Sequence, residues 1–400
     1  MENSEKDNKP SISVYDFFSE KENTMDNIRK HPIGKLGLIG MRGCEDKTQR
    51  IDEYLKKWFK EDFGEDIDTF KINFACPRFS SGEAKSVIYE SIRGFDIYII
   101  CDVFNYGKTY KMYGMDMPMS PDDHFADLKR VIAAIGGKAR RVTVIMPMLY
   151  EGRQHKRNAR ESLDCALALQ ELTHMGVDNI ITFDAHDPRV QNAIPLSGFE
   201  NAQPYYQFIK ALVRNVPDIE FDKNKLMMIS PDEGGMSRSI YYSSILGLEM
   251  GMFYKRRDYS VVINGHNPIV SHDFLGDNVD GMDCIIVDDM IASGESVIDV
   301  AKKLKDRGAK RIFVFVTFAL FVNGLEKFDQ AHKDGYFEKI FSTNLVYNNP
   351  ELKNRDWYVV ADMSKYIALF IDTLYKNKTI SELLDPVQRI KSFLKENNKI

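Results

Sequence analysis

Two adjacent carboxylates, Asp288 and Asp289, close an apolar run of strand length over residues 284–287. The short loop Ala292-Ser293-Gly294-Glu295-Ser296 follows, and then a helical pattern over residues 297–305. Paired carboxylates accept hydrogen bonds from a diol. Free N–H groups of a loop and first helical turn hold a phosphate dianion. The chemistry on offer is recognition of a sugar phosphate. An aspartate near a helix start is also a common cap, so this stretch gains meaning only from the rest of the chain.

Two more polar clusters stand at the ends of predicted strands: Asp184-Ala185-His186-Asp187 and Ser230-Pro231-Asp232-Glu233-Gly234-Gly235. Ligands of open α/β sheets bind at the carboxyl ends of strands. Three acidic clusters converging on one sheet edge would suit Mg2+ and phosphates. Asp184 with His186 could form a metal pair, although Asp187-Pro188 is also a common turn. The triplet Lys255-Arg256-Arg257 lies just past a strand. It is either a solvated surface run or a source of mobile cations for charge developing on transferring phosphoryl oxygens. Arg153 and Gln154, in a basic loop, could clamp a nucleotide phosphate and a base edge. The chain has no GxxxxGK[ST] and no kinase glycine-rich loop, which argues against a Walker-type or protein-kinase nucleotide site.

Positioning these groups requires strands and helices in alternation. Strands are expected at residues 35–40, 69–75, 95–103, 141–148 and 179–183, with helices at 46–60, 122–135 and 162–175. Residues 105–121 lack a clear period and read as an inserted loop, and residues 195–201 as a connector. The theme then repeats. Helices are expected at 202–214, 237–248 and 297–307, with strands at 226–229, 250–255 and 311–319 and a hairpin through Asn264-Gly265. Two helices, 363–375 and 379–396, end the chain. The pattern is α/β: two similar domains, each a mainly parallel sheet flanked by helices.

The chain has 400 residues, which suits two domains with a large core. It is 44% hydrophobic and 28% charged, as soluble globular proteins are. A net charge of −5 implies no nucleic-acid-binding surface. The cysteines Cys44, Cys76, Cys101, Cys165 and Cys284 are scattered without a CxxC pair, which points to reduced thiols and a cytoplasmic location. No run approaches the ~20 apolar residues of a membrane span, and the polar start is not a signal peptide.

Taken in order, the motifs resemble the ribose-phosphate pyrophosphokinase (phosphoribosyl pyrophosphate synthetase) family. The resemblance runs from about Lys35 to Leu384. It is carried by Arg78-Phe79-Ser80-Ser81-Gly82-Glu83 with Glu90-Ser91-Ile92-Arg93-Gly94, by residues 150–156, and by Asp184-Ala185-His186. Ser230 to Gly235, Lys255-Arg256-Arg257 and the loop after Asp288-Asp289 complete it. It implies two phosphoribosyltransferase-like domains, 35–195 (with 105–121 inserted) and 196–362. They follow a mobile extension at 1–34 and precede C-terminal helices at 363–400 that pack back on the first domain. It also implies transfer of pyrophosphate from Mg-ATP to ribose 5-phosphate, giving phosphoribosyl pyrophosphate and AMP. Lys255 and Arg257 would be catalytic, and His186 and Asp232 would hold Mg2+. Asp288, Asp289, Ala292, Ser293, Gly294, Glu295 and Ser296 would bind ribose 5-phosphate. Arg153 and Gln154 would contact ATP, and Phe79, Ser81 and Glu83 its adenine, in this family often from a neighbouring subunit of a homo-oligomer (dimer or hexamer). Three positions depart from the family pattern: Ser81, His155, and Glu295, whose charge opposes a phosphate unless it points outward. A phosphoribosyltransferase or a non-catalytic, regulatory homologue would be the alternatives.

Overall fold

The computed structural model describes residues 34–257 and 269–399, the side chains of 255–257 and 269–272 excepted. The expected N-terminal extension, apart from its last residue, and the turn at Asn264-Gly265 lie outside the described residues.

In the first half, β1 (Leu36–Gly40) leads into α1 (Glu45–Phe63), which turns Ile51 and Leu55 inward and stops at Gly64 in the left-handed region. Two short strands, β2 (Phe74–Ala75) and β3 (Val87–Ile88), pair antiparallel ahead of β4 (Asp96–Ile100). The expected strand at 69–75 shrinks to β2 because the Asp52 carboxylate accepts the Phe70 amide and the Thr69 hydroxyl, in place of a continuous ladder. Then come β5 (Thr109–Met112), β6 (Met115–Pro118), α2 (Pro121–Ile135), β7 (Arg141–Ile145), α3 (Asp164–His174), β8 (Asn179–Phe183) and β9 (Gly198–Ala202). These build a five-stranded sheet, β1-β4-β7-β8-β9, parallel throughout. Its central strands are buried on both faces, which is why they read as unbroken apolar runs. The expected connector at 195–201 is in fact mostly β9, whose Gly198-Phe199-Glu200-Asn201 carries no apolar alternation because it is an edge strand.

The expected loop at 105–121 contains a β-hairpin. β5 and β6 pair in register around Tyr113-Gly114, both at positive φ (49° and 81°), as a two-residue primed turn requires. The hairpin has little apolar pattern because its side chains are exposed or half-buried. Helix α2 starts with a capping box: Ser120 Oγ accepts the Asp123 amide and Asp123 accepts the Ser120 amide.

The second half comprises α4 (Tyr205–Asn215), β10 (Leu226–Ser230), α5 (Met236–Leu246), β11 (Glu249–Arg257) and β12 (Ile269–Leu275), then β13 (Asp283–Ile291), α6 (Glu295–Asp306) and β14 (Arg311–Ala319). After these come α7 (Glu326–Lys333), β15 (Lys339–Thr343), β16 (Tyr358–Ala361), α8 (Ser364–Tyr375), α9 (Ser381–Leu384) and α10 (Val387–Glu396). The seven-stranded sheet has the order β12-β11-β10-β13-β14-β15-β16; only β12 runs antiparallel. One helix was expected over 379–396. The structure divides it at Asp385-Pro386, because a proline disfavours helical backbone at the residue before it.

One apolar cluster spans both halves. Tyr98, Ile145 and Phe183 of the first sheet meet Phe318, Leu345 and the α8 residues Tyr366 and Phe370. The Phe183 ring stands edge-on to Tyr366 and Phe370, at 6.1 and 6.3 Å. This shared core holds the carboxyl ends of β8 and β13 next to each other. Helix α10 instead packs Ile390 and Leu394 on Phe208 and Leu212 of α4.

Candidate active site

Chain direction changes sharply after β8. Asp184 adopts φ +42°, which aspartate tolerates better than most residues, and its amide donates to the Ala202 carbonyl at 2.8 Å. The turn buries the Asp184 carboxylate and brings His186 to the edge of the first sheet. From the second sheet comes β13, which runs through Asp288 and Asp289 to Ile291 and does not end at the carboxylates. His186 Nδ1 lies 2.7 Å from Asp289 Oδ2 and donates to it. The three acidic clusters were expected to converge on one sheet edge, but they are divided between two sheets. Asp184 to Asp187 belong to the first sheet, and Asp232 and Asp288-Asp289 to the second. β9 completes the first sheet before the chain starts a second, so the clusters meet across the junction.

Arg238, in the first turn of α5, joins the two sides. Its Nε donates to Asp184 Oδ1 at 2.6 Å, its Nη1 to the Gly234 carbonyl at 3.3 Å, and its Nη2 lies 3.7 Å from Asp289 Oδ2. Thr317, on β14, donates its hydroxyl to Asp184 Oδ2 at 2.6 Å. Neither residue was singled out in the sequence. One signal was present: a cation in the first turn of a helix opposes the helix dipole, so it needs a carboxylate partner.

Electrostatics follow from this packing. Burial raises the Asp184 carboxyl above the ordinary range, and Arg238 opposes that. Burial pushes Asp289 the same way, but the hydrogen bond with His186 and the Arg238 charge prevail and hold it low. Asp288 is driven well up, first by burial and then by Asp289 beside it, with Asp232 adding to the effect. His186 is raised by its hydrogen bond to Asp289. The result is one anchored ion pair beside a second carboxyl group that resists ionisation.

A cavity of about 160 Å3 opens here, and Arg153, His186 and Asp289 line it with Gly152 and Phe104. Asp288 adjoins it through Asp289, whose amide donates to Asp288 Oδ1 at 2.9 Å. Asp232 uses Oδ1 to accept the Gly234 and Gly235 amides at 2.9 and 3.3 Å, which fixes its turn. Gln154 is held through its backbone, with its amide donating to the Glu151 carbonyl, and does not line the cavity. His155 packs on His186 with ring centres 5.3 Å apart, and its Nε2 lies 3.5 Å from Asp187. Lys255 and Arg257 lie on the backbone of β11, and the pairing register with β12 shifts between Arg256 and Arg257; their side chains are outside the description. Among the described residues, no group of three or more His, Cys, Asp or Glu is arranged to hold a metal ion.

Phe79, Ser81 and Glu83 do not line this cavity. Their loop docks on the β5–β6 hairpin, with the Tyr113 amide donating to the Ser80 carbonyl. Arg78 anchors it from below, bonded to Asp127 at 3.1 Å and stacked on Tyr110 at 4.3 Å. Ser81 Oγ donates to Glu83 at 2.8 Å, and the Phe79 ring is left 54% exposed.

The loop Ala292 to Ser296 joins β13 to α6. Gly294 caps the helix at φ +82°, and an added Cβ would sit 2.0 Å from Phe328 Cζ. Glu295 turns outward and pairs with Lys327 Nζ at 3.0 Å, both side chains being largely exposed. Its charge is thus directed to solvent, away from the loop amides. Gly294→Ala combines positive-φ strain with overpacking against an aromatic ring. It should lower the free energy of unfolding by about 2 kcal/mol or more in denaturant titration; an unchanged midpoint would contradict this account of the loop.

Residues 38–176 match the model of the N-terminal domain of ribose phosphate pyrophosphokinase, and residues 199–355 match that of the phosphoribosyl transferase domain. A ribose-phosphate pyrophosphokinase of Vibrio cholerae is 27% identical over 314 residues, covering 77% of this chain and 90% of that protein. That of Pasteurella multocida is 28% identical over 310 residues, covering 76% and 89%. In fold, the chain is similar to the phosphoribosylpyrophosphate synthetase of Mycobacterium smegmatis, with a TM-score of 0.69 and 20% identity over 86% of this chain and 99% of that one. With two parallel-sheet halves and both family domains in order, the chain belongs to the ribose-phosphate pyrophosphokinase family.

Proposed function

We propose that this protein is a cytoplasmic ribose-phosphate pyrophosphokinase that transfers pyrophosphate from ATP to the C1 hydroxyl of ribose 5-phosphate. The observation that carries this reading is the His186–Asp289 contact, which brings Arg153 and His186 of the first half and Asp289 of the second to one cavity.

The sugar binds along β13 and the loop after it. Asp288 and Asp289 accept hydrogen bonds from the ribose hydroxyls, and the amides of residues 292–296 with the hydroxyls of Ser293 and Ser296 hold the 5-phosphate. Arg153 and Gln154 hold the nucleotide. Phe79, Ser81 and Glu83 receive adenine; their rigid, exposed loop lies off this chain's own cavity, which supports delivery to a neighbouring copy in a homo-oligomer. The C1 oxygen attacks the β-phosphorus of ATP and loses its proton, the bond from that phosphorus to the bridging oxygen breaks, and AMP leaves with that oxygen. Lys255 and Arg257 stabilise the charge that spreads over the transferring oxygens.

The donor set fits Mg2+. Asp288, Asp289 and Asp232 act on one another electrostatically, so negative charge is concentrated where a cation would sit. A magnesium ion commonly takes one or two protein ligands and fills its shell with phosphate oxygens and water, and His186 and Asp232 would hold it in that way. When bound, it supplies neutralisation of phosphate charge.

Incubation with ribose 5-phosphate, Mg2+ and ATP should yield AMP and phosphoribosyl pyrophosphate in equal amounts, read by chromatography. No turnover, with inorganic phosphate and other nucleoside triphosphates also supplied, would overturn the proposal in favour of a regulatory homologue.

A further inference from the structure

A second cavity, of about 400 Å3, lies on the far side of the second sheet order from β11, where α4, β16, α8 and α10 meet. It is three strands from β13, or about 14 Å across the sheet. Four cations line it: Lys210 and Arg214 of α4, Lys365 of α8 and Arg389 of α10. Its one acidic lining residue is already engaged. Asp362 accepts the Ser364 amide and the Asn344 side-chain amide at 2.8 Å each, and Arg50 at 3.2 Å.

Among the described residues, none of the four cations is in an ion pair. Arg389 lies over the Tyr206 ring at 4.5 Å and the Tyr366 ring at 5.9 Å, and its buried Nε and Nη2 carry no hydrogen bond. Tyr366 is locked by donating its hydroxyl to the Leu383 carbonyl at 2.6 Å, so the aromatic wall is fixed. Gln207 adds a buried side-chain oxygen without a partner. Burial, with Arg214, Lys365 and Arg389 nearby, holds the Lys210 ammonium below its usual range. Like charges gathered without a counter-charge repel one another, and an anion relieves that cost. Arg389 stands on a helix beyond the 199–355 family match, so the charge cluster is closed by a segment outside that domain.

We propose that this cavity binds a phosphorylated small molecule carrying at least two negative charges, held by Lys210, Arg214, Lys365 and Arg389. The Tyr206 and Tyr366 rings flank it, and Gln207 accepts a hydrogen bond from a hydroxyl or amine of the ligand. Its chemistry is that of pyrophosphate or a nucleotide's phosphate chain.

The test is acylation of lysines in the unaltered full chain, followed by mass spectrometry, with and without millimolar inorganic pyrophosphate or orthophosphate. Pyrophosphate should slow labelling of Lys210 and Lys365 severalfold, more than orthophosphate does, and leave Lys138 unchanged. Protection should persist in the Ser293→Ala, Ser296→Ala double variant. The Lys210→Gln, Lys365→Gln double variant should bind pyrophosphate at this cavity at least about tenfold more weakly, because charge-assisted hydrogen bonds are lost. Three results would overturn the proposal. Labelling of both lysines could be indifferent to either anion. Protection could vanish with the serine variant, making it an echo of the sugar-phosphate site. Labelling could be slow without anion and rise on dilution, meaning that a second copy covers the cavity.

Discussion

Arg238→Met should destabilise the protein by about 3–5 kcal/mol, the usual penalty for stripping a buried ion pair of one partner. Asp184 is 3% exposed and Asp289 equally so, and both lean on this guanidinium. Thr317 and His186 would remain as hydrogen-bond donors, but neither is a fixed positive charge. The penalty should also depend on pH with a definite sign. Burial already raises the Asp184 carboxyl in the folded state, and losing Arg238 raises it further. A group raised on folding favours the native state when protonated, so the variant's deficit should be smaller at pH 5 than at pH 8. Denaturant titrations of both proteins at the two values would measure it. A deficit below about 1 kcal/mol, or one that grows on acidification, would show that Arg238 does not compensate these carboxylates.

Lys255→Ala should lower kcat by about 10²- to 10³-fold, the range seen when one transition-state charge partner is removed. The KM for ribose 5-phosphate should change little, because the sugar is assigned to β13 and its loop, on the other side of β10 from β11. Denaturant stability should also hold, since Lys255 sits near the end of β11. Lys255→Arg should recover part of the rate, as it restores charge without the same reach. A variant with full rate would remove Lys255 from the transferring group and leave Arg257 to account for it. The contrast with Arg238 is the useful point: one substitution should act on the fold and the site together, the other on turnover alone.

Much of this was legible along the chain because it depends on near neighbours. The sheet strands β4, β7, β8 and β13 are buried on both faces and so announce themselves as apolar runs. Helices α1 and α2 show a stripe and a stop at glycine, and the small-residue loop after Asp288-Asp289 marks the passage from β13 to α6. Where local reading failed, a local rule usually still applied. The Tyr113-Gly114 turn and the Asp385-Pro386 break both follow backbone preferences, but weak apolar patterning masked them.

By itself, the sequence determined the alternation of the main strands and helices, the two parallel-sheet halves and the polar clusters that follow β8, β10 and the apolar run of β13. Only the tertiary structure decided how they converge. It divided the acidic clusters between two sheets, brought His186 to Asp289 across 103 positions of chain, and recruited Arg238 and Thr317 to a carboxylate at 184. It also turned Glu295 out to Lys327, and gathered Lys210, Arg214, Lys365 and Arg389 from three helices. The physical reason is range. Periodicity and turn chemistry act over a few residues, whereas a buried charge must find its counter-charge wherever packing of the shared core around Phe183 and Tyr366 happens to deliver one.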